Sequence, residues 1–433
     1  MTYLCPHCFG DEGLKKRIVE IRPSFPNEKC SFHPTFKGIP AKDVADIIDE
    51  VFRNYYEVGE WNSYRGEQEG DTLYGCIATL TEVEDDEIAM SLARELEENQ
   101  NYYDGDSFYA DDQVYSECQP NLDHHSYLWQ LFCKSILHGQ RFFNASAKSL
   151  IAEIFEGIHF QSNDSQQSPI YEIKPGDPQG EFYRARIADE QTAQSKIASN
   201  PATELGPPPE KLRTAGRMNP SGITCFYGAY NIATCNAELR PDVGSTVLGA
   251  KFELARPIHV LDTTRFQAPI KHISLFSKNH LIRLQQWIFM QDFRREIAKP
   301  ISKYEEHLGY IPTQAVAEYL LHHHMFKRNG KDAKIEAIIF QSAQYSAGRN
   351  IVLLGEAACV KNPANSISKK QKKLGSSSYF PDFIETFLQD TSESKTPGLR
   401  VVSNSLEAHR VISAEFASSI IGDQDLDAED SDF

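Results

Sequence analysis

The chain has 433 residues, too many for one ordinary core, so two or three domains are expected, and 40% hydrophobic content is enough to bury them. A formal net charge of −17 repels phosphate backbones and no local basic patch offsets it, so the expected partner is a small molecule or a protein, not nucleic acid. No apolar run approaches the roughly 18 residues a membrane span needs, and no basic segment followed by an apolar one opens the chain, so a cytoplasmic protein without a membrane partner is expected.

In chain order, CPHC and KCSFHP come first and supply Cys5, Cys8, Cys30 and His33 as two pairs, each separated by two residues. That spacing lets each pair grip one tetrahedral zinc ion from a tight turn. All four positions would be filled by protein, which makes the expected zinc structural, with no place left for a substrate. The nine cysteines are odd in number and irregularly spaced, which suits reduced thiols plus such a site rather than a disulfide framework.

Over residues 41–56 Val44, Ile47, Ile48, Val51, Phe52 and Tyr55 recur at three and four, the signature of an amphipathic helix. A second helical region is expected over 127–158, carrying Leu128, Leu131, Phe132 and Ile136, then Leu150, Ile154, Phe155 and Ile158. The acidic stretch 82–112 between them reads as a solvated helix face and loop. Residues 161–180, rich in Ser, Gln, Asp, Pro and Gly, read as a linker.

Beyond it EFYRARI has a strand pattern that puts Arg184 and Arg186 on one face. The proline-rich run GPPPEKLRTAGR must be loop and delivers Arg217. Then come a strand over 223–227 ending at Gly228, and a narrow helix whose stripe is Ala229, Ile232, Ala233 and Ala237. Glu238 adjoins that stripe and, taken alone, reads as a helix-surface acid. Strands are expected over 246–254, 258–261, 337–340, 351–354 and 399–402, and helices over 279–297 and from Tyr310. Ser342 follows a strand exit, where ligand-binding groups often sit. His322, His323 and His324 are consecutive and so point around their helix, not at one metal. Residues 366–378 read as a mobile loop and 423–433 as a disordered acidic tail.

Together FYRAR, GRMNPSGITCFYGA, CNAELRP, YIPTQ and IIFQSAQYSAGRNIVLL resemble the RES-domain family, in order and spacing, over roughly residues 180–359. The resemblance implies an NAD+-degrading toxin on a fold related to ADP-ribosyltransferases, cleaving the nicotinamide–ribose bond by hydrolysis or phosphorolysis, with an antitoxin protein as a partner. By motif it marks Arg184, Tyr227 and Glu238 as catalytic and Arg217 and Ser342 as substrate-binding. Arg186 is a second candidate within the arginine block, and the block around Ser342 lacks an expected proline. The N-terminal part looks like the zinc ribbon and helical domain, related to HEPN bundles, that precedes some RES domains, with His33 where a cysteine is expected. Arg53, Arg65, Arg94 and Arg141 have no histidine four to six residues on, so the helical part is not expected to be a nuclease.

The expected fold class is therefore α+β: a zinc ribbon over 1–38, a helical domain over 39–160, a linker over 161–180, a mixed α/β RES domain over 181–362, and an extension over 363–433. Nicotinamide departs as a neutral ring, so the chemistry needs stabilisation of an oxocarbenium-like ribose and a held pyrophosphate, not a general acid. Glu238 is assigned to the ribose, Arg184, Arg217 and Ser342 to the phosphates, and Tyr227 to the nicotinamide end. Two other readings stand beside this one: ADP-ribose transfer to a protein, and a catalytically silent interaction protein. The sequence leaves the oligomeric state open.

Overall fold

The computed structural model describes residues 1–98, 108–110, 112–299, 301, 305–328, 330–361 and 396–413. The chain divides into two compact units, one built from Met1–Ser168 with Arg265–Phe293, the other from Pro169–Thr264 with Arg294–Phe433.

Helices dominate the first unit. Ala41–Tyr55 buries Val44, Ile47, Ile48, Val51 and Phe52, the stripe expected from spacing. Phe52 stacks on Tyr56 at 4.4 Å between ring centroids and meets Tyr115 edge-on at 5.2 Å, so aromatic packing extends this helix into the core. Within the acidic stretch, Asp86–Glu98 is a helix that buries Ile88, Leu92 and Leu96, so only its outer face is the solvated surface that composition suggests. Residues 99–107 and 111 of that stretch lie outside the described residues. The region expected as helical over 127–158 is two helices, His124–His138 and Ala145–Phe155. Gly139 ends the first, and Asn144 starts the second by accepting the Ala147 N–H at 2.9 Å.

The second unit is built on a mixed sheet of ten strands. Its main path runs Leu399–Val401, Thr246–Leu254, Glu181–Ile187, Cys225–Ala229, Arg349–Leu354, Lys331–Gln341, Ile258–Asp262 and Ile170–Ile173. Met325–Arg328 pairs with Lys331–Gln341, and Glu407–Arg410 with Thr246–Leu254. The pairing of Ile258–Asp262 with Lys331–Gln341 is parallel and the others are antiparallel. Phe182, Phe226, Phe252, Ile339, Ile351 and Leu353 are buried together in the core of this sheet.

Two segments differ from expectation. Residues 161–180 are not wholly a linker, because Ile170–Ile173 lies on the sheet with Ile170 and Ile173 buried. Its four residues sit among polar and turn-forming neighbours, which hide so short a strand. Of the expected extension, residues 396–413 add two strands beside Thr246–Leu254. The expected loop over 366–378 and the acidic tail lie outside the described residues.

This order of strands positions the site. Ala229 is paired with Tyr183 on one side and Asn350 on the other, so three segments far apart in sequence become neighbours.

Candidate active site

A cleft of about 790 Å³ in the second unit is lined by the sheet residues Arg184, Arg186, Tyr227 and Asn350, by Glu238, and by Arg217 from the preceding loop. Of the five residues assigned to this chemistry from sequence, four line the cleft, and the fifth, Ser342, bonds to one of them.

Arg184 comes from the centre of Glu181–Ile187, its guanidinium 4.8 Å from the centroid of the Phe226 ring. Burial, with Arg186 adding repulsion, lowers it from an ordinary 12.5 to about 10, so it remains a cation at neutral pH. Its Nη1 is buried without a hydrogen bond. A buried cation with an unmatched donor costs stability unless an anion completes it, and the cleft is where one would enter. Arg186 instead donates from Nη2 to the Gly206 carbonyl at 3.3 Å. Between the two candidates, the buried unmatched donor is on Arg184.

Glu238 lies one residue before the end of the helix Ile232–Leu239. Asn231 starts this helix by accepting the Thr234 N–H at 2.7 Å, and Arg240 ends it in the left-handed region with φ 46°. That short turn brings the carboxylate to Ser342 and Asn350, both of which donate to its Oε1, at 2.6 and 2.7 Å. Oε2 carries no hydrogen bond among the described residues, and the residue is exposed at the cleft.

Ser342 is engaged with protein groups. It was expected to hold substrate phosphate, but its hydroxyl gives its proton to Glu238 and accepts the N–H groups of Gln344 and Tyr345 at 3.2 and 3.1 Å. A hydroxyl has one proton and two lone pairs, and in this arrangement all three are used by protein groups.

Tyr227 presents its ring to the cleft and commits its hydroxyl elsewhere. The phenol donates to Asn219 Oδ1 at 2.8 Å and accepts the Met218 N–H at 2.9 Å, and burial raises its pKa. A Cβ on Gly216 would lie 2.8 Å from both the Tyr227 hydroxyl and Asn219 Oδ1, so this loop needs glycine there. Gln314 closes the loop from the other side, donating to the carbonyls of Gly216 and Asn219 at 2.8 and 3.1 Å. Thr313 donates to the carbonyl of Arg217. Arg217 itself donates from Nη1 to the Lys299 carbonyl at 2.8 Å, with its guanidinium 5.3 Å from the Tyr310 ring centroid.

Residue-by-residue reading missed Asn219, Gln314 and Asn350. Each lies inside a motif block, and Asn350 had a signal of its own: a polar residue opening the otherwise apolar strand NIVLL.

A different kind of site sits in the first unit. Cys5, Cys8, Cys30 and His33 bring one donor atom each to within 4.8 Å of one another. The Sγ atoms of Cys5 and Cys8 are 3.9 Å apart and those of Cys8 and Cys30 3.5 Å, while His33 Nδ1 lies 3.6, 3.4 and 3.8 Å from the three sulfurs. A tetrahedron with Zn–S bonds of about 2.3 Å has S–S edges of about 3.8 Å, so these residues fit zinc. Burial raises the Cys5 and Cys8 thiols, while at Cys30 hydrogen bonds from the His33 and Phe32 backbone outweigh burial and bring the thiol down to about 7; a bound cation would draw all three toward the thiolate. His7 packs against Phe36 at 4.0 Å between ring centroids and lies outside this group.

Residues 181–371 match the family model of the RES domain. No curated protein and no solved structure is matched by the chain.

Proposed function

Because the chain carries a RES domain, which ties it at family level to NAD+ processing and a toxin-like role, we propose that it cleaves the nicotinamide–ribose bond of NAD+. The observation that carries this reading is a carboxylate with one oxygen fixed and one free, in the same cleft as a buried guanidinium with an unmatched donor.

The bond to be broken joins ribose C1′ to a cationic ring that leaves with the bonding electron pair as neutral nicotinamide, so no proton need be delivered to it. Positive charge develops on the ribose, and Glu238 Oε2 is the group that offsets it and holds the ribose hydroxyls. Arg184 takes the pyrophosphate, its open Nη1 finding the anion it lacks, and Arg217 flanks the same cleft. The Tyr227 ring forms the face against which the nicotinamide end is oriented. Water or inorganic phosphate then attacks C1′ and gives ADP-ribose or its 1-phosphate. The phosphate-binding group is thus the pair of arginines without Ser342.

In the first unit, Cys5, Cys8, Cys30 and His33 would hold zinc, which would supply a cross-link between two turns. An antitoxin protein is the partner this class of activity calls for, since uncontrolled NAD+ loss would harm the cell that makes the enzyme.

The test is an NAD+ consumption assay with and without inorganic phosphate, with the products identified. Free nicotinamide with ADP-ribose or ADP-ribose 1-phosphate supports the reading. Label from NAD+ retained on protein would instead assign transfer, and unconsumed NAD+ would overturn an enzymatic role.

A further inference from the structure

The carboxylate at the centre of the proposed reaction is held by two donors, and the sequence motifs single out only one. We propose that Asn350 is a positioning residue that, with Ser342, orients Glu238 so that Oε2 alone faces the substrate. This rests on the reading that Glu238 faces the ribose.

The two holders differ in how they are themselves held. Ser342 begins the loop after the strand Lys331–Gln341; its hydroxyl gives one hydrogen bond to Glu238 and takes two from the N–H groups of Gln344 and Tyr345, and its own N–H is bonded to the Gly348 carbonyl at 2.9 Å. Asn350 stands on the strand Arg349–Leu354, paired through the sheet with Ala229 on one side and Phe340 on the other, and only 7% of it is exposed. Backbone ladders on both sides anchor it within the sheet. Its Nδ2 donates to Glu238 Oε1 at 2.7 Å, and Ser342 Oγ to the same oxygen at 2.6 Å.

Two donors on one oxygen have a directional consequence. The carboxylate cannot turn without breaking one of two charge-assisted bonds, so Oε2 keeps a fixed direction toward the cleft. A single donor would leave a pivot about that bond, and the exposed Glu238 side chain would sample several orientations. An amide also suits this position because its NH2 donates without bringing a competing charge.

Replacing Asn350 with aspartate keeps the size and removes the donor, and it puts a second carboxylate beside the first. Two carboxylates in hydrogen-bond contact cannot both ionise freely, so they share a proton at pH values where one alone would be charged. The other ionisable side chains lining this cleft are Arg184, Arg186, Arg217, Arg240, Tyr227, Tyr310, Cys235 and Glu306.

The experiment compares the parent, Asn350→Ala and Asn350→Asp as full chains, with melting curves run alongside. Asn350→Ala is expected to lower kcat for nicotinamide release about tenfold or more while KM for NAD+ moves less, because orientation and not binding is lost. In Asn350→Asp the acid limb of the pH–rate profile is expected to move up by about one pH unit or more, with activity recovering toward high pH. A merely structural asparagine would leave that limb where it is. An unchanged kcat in the first variant, or an unchanged acid limb in a folded Asn350→Asp, overturns the proposal.

A crystal structure of Asn350→Ala, or of Asn350→Leu if alanine does not fold, gives a readout independent of the substrate. The Glu238 carboxylate should leave its position or split between rotamers, and one that stays in place overturns the proposal. If the parent leaves NAD+ intact, the proposed activity fails while the carboxylate's position in the variant still decides the role of Asn350.

Discussion

The cysteine–histidine group of the first unit and the cleft of the second both gather polar side chains, and they do so to opposite effect. In the first, three sulfurs and one ring nitrogen face one another within 4.8 Å, and a tetrahedral ion would use every donor. In the second, the side chains are only partly matched: Ser342 and Asn350 saturate one oxygen of Glu238 and leave the other, and Arg184 keeps a buried nitrogen with no acceptor. A closed donor set stabilises the chain that makes it. An open one costs stability in the free protein and is retained where a ligand supplies the missing partners. The contrast is a physical ground, independent of family, for proposing a structural role for the first and a ligand-binding role for the second.

The largest expected effect breaks the closed side. Stripping zinc with a chelator, or substituting Cys5→Ser or Cys30→Ser, should unfold the N-terminal turns, because such sites contribute about 10 kcal/mol or more to the segments they join. Metal analysis should find zinc lost, while nicotinamide release by the second unit survives. Full zinc occupancy in both variants would remove the assignment. Loss of catalysis together with the metal would mean that the closed site is not merely structural.

Next in size is the open side. Glu238→Gln keeps the shape of the side chain but removes the charge that offsets the developing cation, and should lower turnover on the order of 10²-fold or more with the melting curve unchanged. Parental rates of nicotinamide release from that variant would show that the carboxylate is not the catalytic group.

How much of this could be read from the sequence differs between the two sites for a physical reason. Cys5, Cys8, Cys30 and His33 are legible because a tight turn imposes a spacing of two between ligands, and spacing is a local property. The strand with Arg184 was legible from alternation, as was most of the sheet, whereas the stripe expected for the helix with Glu238 is not its buried face: Ala229 belongs to the strand Cys225–Ala229, Ala233 is exposed, and Thr234 and Cys235 are buried. What joined strand and helix was not legible. Asn350 reaches Glu238 across 112 residues, and Gln314 reaches Gly216 across 98, through a strand order that no local period encodes. Ser342 shows the same limit from the other direction. Its place at a strand exit suggested ligand binding, and only the geometry shows its hydroxyl bonded to Glu238 and to the N–H groups of Gln344 and Tyr345. The strand Ile170–Ile173 was lost because four residues among Ser, Gln and Pro give too little pattern.

A smaller effect is expected at Arg184. Lysine there keeps a cation but gives up the planar fork that engages two phosphate oxygens at once, so Arg184→Lys should raise KM for NAD+ about tenfold with a lesser change in kcat. If kcat fell and KM did not move, the guanidinium would be acting on the reacting bond and not on the pyrophosphate. Arg186→Lys is the control: with its Nη2 on the Gly206 carbonyl it should change KM less.

The smallest effect tests whether a tyrosine in the cleft wall is matched like the zinc ligands or open like Glu238. The Tyr227 hydroxyl is doubly bonded, to Asn219 and to the Met218 N–H, so Tyr227→Phe leaves one acceptor and one donor without their partner, at about 1–3 kcal/mol of stability. Its ring remains in the cleft wall. The loop carrying Arg217 would still be held by Gln314 and Thr313, so KM for NAD+ should rise only a few-fold and kcat should stay near the parental value. A fall in kcat comparable to that of Glu238→Gln, without a shift in melting temperature, would mean that the phenol acts directly on substrate and belongs with the open groups.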